Sequence, residues 1–162
     1  MHGAAIAVDG NGFIFTAASG VGKTTHIMKW MDNMPNAVVV NGDKPIISVG
    51  KTPMVYGSPW RGKENYGSNI SAPLRAIVFM ERSEGNSIEE ISLSKALPLM
   101  LAQVHHPEDS QKWLKTIQLI ASLDHRVRFY SFHFNNMKPD AFSVSYHELV
   151  EKQNEANGPD RA

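Results

Sequence analysis

Cysteine is absent from the 162 residues, which excludes thiolate nucleophiles and Fe–S ligation. A surplus of either charge is absent too, since 16 Lys and Arg balance 16 Asp and Glu. Nucleic acid and anionic membrane surfaces are held through a basic excess, so neither is an expected partner, and any anion must be gripped locally. No apolar run approaches the roughly 18 residues of a membrane span, and the first residues lack the basic-then-apolar order of a secretory signal. The expected location is therefore cytoplasmic. What is present is ordinary: 42% hydrophobic and 9% aromatic residues, enough for one core that buries roughly 70% of the extended-chain surface without crosslinks or structural zinc.

Ala4-Ala5-Ile6-Ala7-Val8 and Phe13-Ile14-Phe15-Thr16 are short apolar runs separated by Asp9-Gly10-Asn11-Gly12, which predicts two strands joined by a tight hairpin. A Gly-rich stretch follows, then Ile27, Met28, Trp30, Met31 and Met34 at helical spacing, stopped by Pro35. Ala37-Val38-Val39-Val40 reads as a fully buried strand and Pro45-Ile46-Ile47-Ser48-Val49 as the strand after it. Residues 51–71 are rich in Gly, Pro, Ser and Asn, and read as an irregular surface excursion. A strand over residues 74–80, helices over 94–104 and 108–123, and a last strand over 127–134 complete the expected elements. The expected fold is a single α/β domain over residues 1–150 with a mixed central sheet, and residues 151–162 form a polar, frayed tail.

The sharpest chemical signal lies between the second strand and the first helix. Ser19-Gly20-Val21-Gly22-Lys23-Thr24 matches the end of a phosphate-binding P-loop in the strand–turn–helix context that the motif needs. Without Cβ atoms in the way, amides of such a turn converge on phosphate oxygens, and the helix adds its positive N-terminal end. Ser19, Gly20, Val21, Gly22, Lys23, Thr24 and Thr25 are thus the expected nucleotide-binding residues. Lys23 reaches the β- and γ-phosphates, and the Thr24 hydroxyl binds Mg²⁺. Ala17 stands where the full pattern has its first Gly, which is unstrained if that position has negative φ. Asp43 follows the Val-rich strand only 20 residues after Lys23, where a Mg²⁺ ligand or a base for a substrate hydroxyl has to stand.

These features arrive in an order that resembles the C-terminal kinase domain of HPr kinase/phosphorylase, related to the ATP-binding part of phosphoenolpyruvate carboxykinase. The resemblance is carried by His2-Gly3 opening a strand, the hairpin at residues 10–12, the Ser19–Thr24 motif, and Asn41-Gly42-Asp43, and covers residues 1 to about 50. Tyr56-Gly57-Ser58-Pro59-Trp60 and the strand around Arg75 look like the small stand-alone HPr-kinase-like proteins. It implies an HPr kinase/PEP carboxykinase-like P-loop domain that uses ATP, or another nucleoside triphosphate or polyphosphate, with Mg²⁺. The implied acceptor is a hydroxyl, usually of serine, on a protein, peptide or small molecule, and such proteins commonly assemble as homo-oligomers. By the same resemblance His2 matches a functional histidine near the transferred phosphate, joining Lys23 and Asp43 as catalytic candidates.

The family often carries paired acids where Gly42-Asp43 supplies one, so a single carboxylate has to serve both metal binding and proton transfer. The alternative expectation is a non-catalytic nucleotide- or phosphate-binding accessory module. Met1-His2 also opens later than the core sheet of such proteins, so the sequence is expected to be a trimmed or decayed piece of a longer pattern. Arg61 and Lys63, beside Tyr56 and Trp60, suit a lid over phosphates, and Arg75 either faces the phosphate site or guards an edge strand. His105, His106, His125, His133 and His147 lack ligand spacing and are read as surface or packed residues.

Overall fold

The computed structural model describes residues 1–152 and 154. β1 (Ala4–Val8) and β2 (Asn11–Thr16) form the expected antiparallel hairpin. Asp9 (φ 49°) and Gly10 (φ 75°) both take positive φ, the requirement of a two-residue type I′ turn. α1 (Lys23–Asn33) follows the Gly-rich turn, and β3 (Val38–Asn41) returns antiparallel to β1. β4 (Ile46–Val49), β5 (Pro53–Tyr56) and β6 (Ser71–Arg82) come next, and β6 runs parallel to β2. β7 (Ser87–Ile91), α2 (Leu93–Leu101), α3 (Ser110–Ala121) and β8 (Arg128–Phe134) follow, with β8 parallel to β6 and antiparallel to β7. A short α4 (Ala141–Tyr146) continues into a π-helical turn over His147–Glu151. All eight strands share one mixed sheet with a path β3-β1-β2-β6-β5-β4, β8 and β7 joining through β6.

Period-two alternation sends the two sides of each strand to two cores. Ile6, Phe13, Phe15, Val78, Phe132 and Phe134 pack against Ile27 and Trp30 of α1. Ile14, Leu74, Ile77, Phe79 and Phe129 pack against Ala96, Met100 and Ile120 of α2 and α3. Because both faces are covered, these strands read as near-continuous apolar runs, which is why they were legible as strands.

Two expectations need correction, and two elements are additional to those expected. The Val-rich strand is not fully buried: β3 lies at the end of the sheet path and Val38 is 41% exposed. Residues 51–71 are not wholly irregular, since β5 pairs with both β4 and β6, leaving residues 57–70 as the true excursion. β7 was not expected because its sequence, Ser-Ile-Glu-Glu-Ile, is that of a solvated strand paired only to β8. α4 was not expected because six residues carry too little periodicity; its Phe142 and Tyr146 are fixed edge-on against Trp30. Glu151 and Lys152 are helical, so the expected domain limit at residue 150 falls within a helical turn, while residues 153 and 155–162 of the expected tail lie outside the described residues.

His26 of α1 is fully buried among Phe15, Phe132 and Phe134. Trp30 Nε1 donates to His26 Nε2 (3.2 Å), and the same ring nitrogen lies 3.1 Å from Ser145 Oγ. Burial, with the Lys29 charge adding to it, pushes the His26 pKa down to about 3 from 6.5. A depressed folded-state pKa means that between pH 6.5 and 3 only the unfolded chain takes up this proton. Stability is complete above pH 6.5 and falls as the pH drops through that window. At pH 5 the loss is expected to be about 2 kcal/mol. Urea denaturation at pH 7 and pH 5 should show it, and His26→Phe should reduce the difference.

Candidate functional site

Strand directions gather distant residues at one edge of the sheet. β2, β6 and β8 are mutually parallel through β6 and end there at Thr16, Arg82 and Phe134. β1, antiparallel to β2, begins there just after His2 and Gly3, and β3, antiparallel to β1, ends there at Asn41. The crevice outside the carboxyl ends of parallel strands is where open α/β sheets bind ligands.

The Gly-rich turn sits in this crevice. Gly20 (φ 78°) and Gly22 (φ 122°) take left-handed conformations, whereas Ala17 does not, which explains why a methyl group is tolerated there. Lys23 is 8% exposed, and its Nζ donates to Ala17 O (2.9 Å) and Ala18 O (3.1 Å), curling the side chain around the turn. Burial pushes the Lys23 pKa below its ordinary value and the nearby Asp43 charge pulls it back up. Gly22 caps α1, so among the described residues the amides of Lys23, Thr24 and Thr25 make no main-chain bond. Thr25 is exposed and Thr24 half-buried.

Asp43 is fixed by a buried polar network with no hallmark of its own in the sequence. Asn41, fully buried, accepts through Oδ1 from Asp43 N (2.9 Å) and Lys44 N (2.7 Å), and its Nδ2 donates to Ser58 O (3.1 Å). Ser58 Oγ donates to Lys44 O (2.7 Å), and Gly3 N donates to Asp43 O (2.8 Å). The Asp43 carboxylate, 27% exposed, lies 3.6 Å from His2 Nε2 on one oxygen and 3.6 Å from Lys44 Nζ on the other. His2 is no loose terminus: its amide donates to Gln103 O (2.6 Å), its Nδ1 meets Gln103 Oε1 (3.2 Å), and its carbonyl accepts from Thr16 Oγ1 (2.7 Å). Gln103, just past α2, was not singled out from sequence and could not be, since its partner is 101 positions away.

The excursion over residues 57–70 folds against this corner. Gly42 donates to Tyr66 O (3.0 Å), and a Cβ on Gly62 would stand 3.1 Å from Asp43 Cβ, so the Arg61-Gly62-Lys63 segment abuts the carboxylate. Arg61 is half-buried and Lys63 exposed. Arg75 neither faces the turn nor guards an edge: β6 is interior, and Arg75 Nε donates to Asn11 Oδ1 (2.7 Å) at the opposite end of β2. A cavity of about 470 Å³ opens beside the turn, lined in part by Ala17, Ala18, Val21, Arg82, Leu99 and Gln103. A larger one, about 750 Å³, is lined by Asp9 and Arg75 at the far edge, away from this chemistry.

Thr24 and Asp43 offer a hydroxyl and a carboxylate, the hard oxygen donors that suit Mg²⁺, and neither carboxylate oxygen of Asp43 accepts a hydrogen bond among the described residues. The described residues contain no cluster of three or more His, Asp or Glu able to hold a metal. That donor set fits a cation that takes most of its ligands from phosphates and water.

No protein-family model and no curated protein matches the chain. Among solved structures, it is similar to the HPr(Ser) kinase/phosphatase from Coxiella burnetii, with a TM-score of 0.57 over 97% of this chain and 94% of that chain, at 8% sequence identity. The likeness is one of fold, and it bears out the expected HPr kinase-like α/β architecture with a mixed central sheet. No described helix is long and apolar enough to cross a membrane.

Two substitutions probe the geometry. Asn41→Ala leaves the amides of Asp43 and Lys44 and the carbonyl of Ser58 without partners, and is expected to cost about 1–3 kcal/mol in urea denaturation. Gly22→Ala is expected to be more damaging than Gly20→Ala, because a Cβ at Gly22 would stand 2.6 Å from Asn136 Nδ2 whereas one at Gly20 meets nothing within 4 Å.

Proposed function

We propose that this chain is an ATP- and Mg²⁺-dependent phosphotransferase of the HPr-serine-kinase type, acting on a hydroxyl of a protein, peptide or small molecule. The observation that carries the proposal is the junction of three chain segments at one sheet edge, the Gly20–Thr25 turn with Lys23 wrapped around it, His2, and Asp43 3.6 Å from His2, within an HPr kinase-like fold.

In this scheme the amides of Gly20, Gly22, Lys23 and Thr24 take the phosphate oxygens, and the Lys23 ammonium neutralises charge that builds on the transferring group. Lys23 is suited to this because its burial leaves it weakly solvated, while Ala17 and Ala18 hold it in place. Thr24 and Asp43 would hold Mg²⁺, which supplies charge neutralisation on the β- and γ-phosphates. Asp43 also orients the acceptor hydroxyl and receives its proton. The hydroxyl oxygen attacks the γ-phosphorus, the bond to the β–γ bridging oxygen breaks, and the nucleoside diphosphate leaves with that electron pair. His2, anchored through Nδ1 to Gln103, turns Nε2 toward the same carboxylate and steadies it.

A single carboxylate, flanked at 3.6 Å by both His2 and Lys44, also suits a second role: a non-catalytic module that binds nucleotide or phosphate and recognises a partner through residues 57–70. The two differ in turnover. ATP with Mg²⁺ should raise the thermal unfolding midpoint of the wild type, and Lys23→Ala should abolish that rise. Asp43→Asn should retain much of it while lowering ADP formation on serine-bearing acceptors by about a hundredfold or more. ATP turnover unchanged in Lys23→Ala would remove the phosphotransferase proposal, and stabilisation by ATP without turnover in the wild type would favour the binding module.

A further inference from the structure

A phosphate-binding turn works only if its amides point at the ligand, and two glycines at positive φ leave such a turn free to point them elsewhere. In a trans peptide the carbonyl of one residue and the amide of the next face opposite ways, so whatever holds the carbonyls aims the amides. Lys23 holds two of them, Ala17 O and Ala18 O. The next three in need of restraint are held by residues outside the motif. Arg82, the last residue of β6, donates from Nη2 to Gly20 O (2.7 Å) and from Nε to Val21 O (3.0 Å). Asn136, two residues beyond β8, donates from Nδ2 to Gly22 O (3.3 Å), which also accepts from His26 N (3.0 Å). Asn136 is anchored in turn, its carbonyl accepting from Lys29 Nζ (2.8 Å) in the helix that the turn opens.

We infer that Arg82 and Asn136 are positioning residues that hold the carbonyls of Gly20, Val21 and Gly22 and thereby aim the amides of Gly22 and Lys23 at a bound polyphosphate, while the Val21 amide is turned back to Ala18 O (3.5 Å). The planar fork of a guanidinium matches two successive carbonyls at once, which an ammonium does not, and it places a fixed positive charge behind the turn. The turn is therefore organised before ligand arrives, and the ordering cost that two left-handed glycines would otherwise add to binding is reduced. Arg82 and Asn136 come from the ends of β6 and β8, so the sheet edge itself grips the turn. The functional half of this inference rests on the nucleotide-binding role proposed above; the structural half does not.

The experiment compares wild type, Arg82→Ala, Arg82→Lys and Asn136→Ala by amide NMR of the free proteins and by calorimetric titration with Mg²⁺–ATP. In Arg82→Ala the amide resonances of Val21 and Gly22 should shift and ATP affinity should fall by about tenfold or more, with little change in the thermal midpoint of the free protein. Guanidinium ion at millimolar concentration should restore part of the affinity to Arg82→Ala and none to Lys23→Ala. Arg82→Lys should recover less than the wild-type affinity, and Asn136→Ala should shift the Lys23 amide. Unchanged Val21 and Gly22 resonances in Arg82→Ala would overturn the clamp. Shifted resonances with wild-type ATP affinity would overturn its role in binding. A wild type that does not bind ATP would instead defeat the nucleotide-binding proposal, while the resonances of the free Arg82→Ala protein would still decide whether the clamp exists.

Discussion

Everything at the candidate site depends on the main-chain pairing of β1 between β2 and β3. Two antiparallel ladders reverse the chain twice, so the start of β1 and the ends of β2 and β3 meet at one edge. His2, the Gly-rich turn and Asp43 become neighbours by that fact alone. One helix and one short strand carry the chain from the Gly-rich turn to Asp43, because β3 pairs with β1 of the hairpin and not with β2. The parallel pairing of β2 with β6 and of β6 with β8 then adds Arg82 and the segment after Phe134 to the same edge.

The polar groups at this edge are held by bonds between segments, which makes the site a tertiary object. Asn41 joins β3 to Ser58 of the irregular excursion, Gln103 joins the exit of α2 to His2, and Thr16 at the end of β2 reaches the His2 carbonyl. Asn41 is buried completely, so its bond to the Ser58 carbonyl is made where an unpaired amide or carbonyl has no water to fall back on. Lys23 is likewise drawn out of solvent and satisfied by backbone oxygens, which leaves its charge concentrated at the mouth of the turn. On the other side of α1, His26 ties the same helix to Ser145 of α4 (3.1 Å) and packs among Phe15, Phe132 and Phe134, so the helix that carries Lys23 is locked into the aromatic core.

Much of the fold was legible in the chain. The type I′ hairpin follows from Asp9-Gly10, α1 from its apolar spacing and the stop at Pro35, and β8 from its alternating residues. β7 and α4 were hidden for opposite reasons. β7 is polar because it faces solvent, and α4 is too short for a period to show, its position set by the contact of Phe142 and Tyr146 with Trp30. Arg75 misled because its position in β6 says nothing about which end of the neighbouring strand it meets.

By itself, then, the sequence determined the parts of the site that are local: a turn whose glycines permit left-handed backbone, a lysine one step beyond it, and an acid at the end of the next strand. Only the tertiary structure decided what faces them. Gln103, Ser58, Arg82 and Asn136 have no signature because each acts on a residue 17 to 114 positions away. Strand register sets those encounters, and register is fixed by which apolar faces must be buried across the whole sheet, a condition that no short stretch of chain contains.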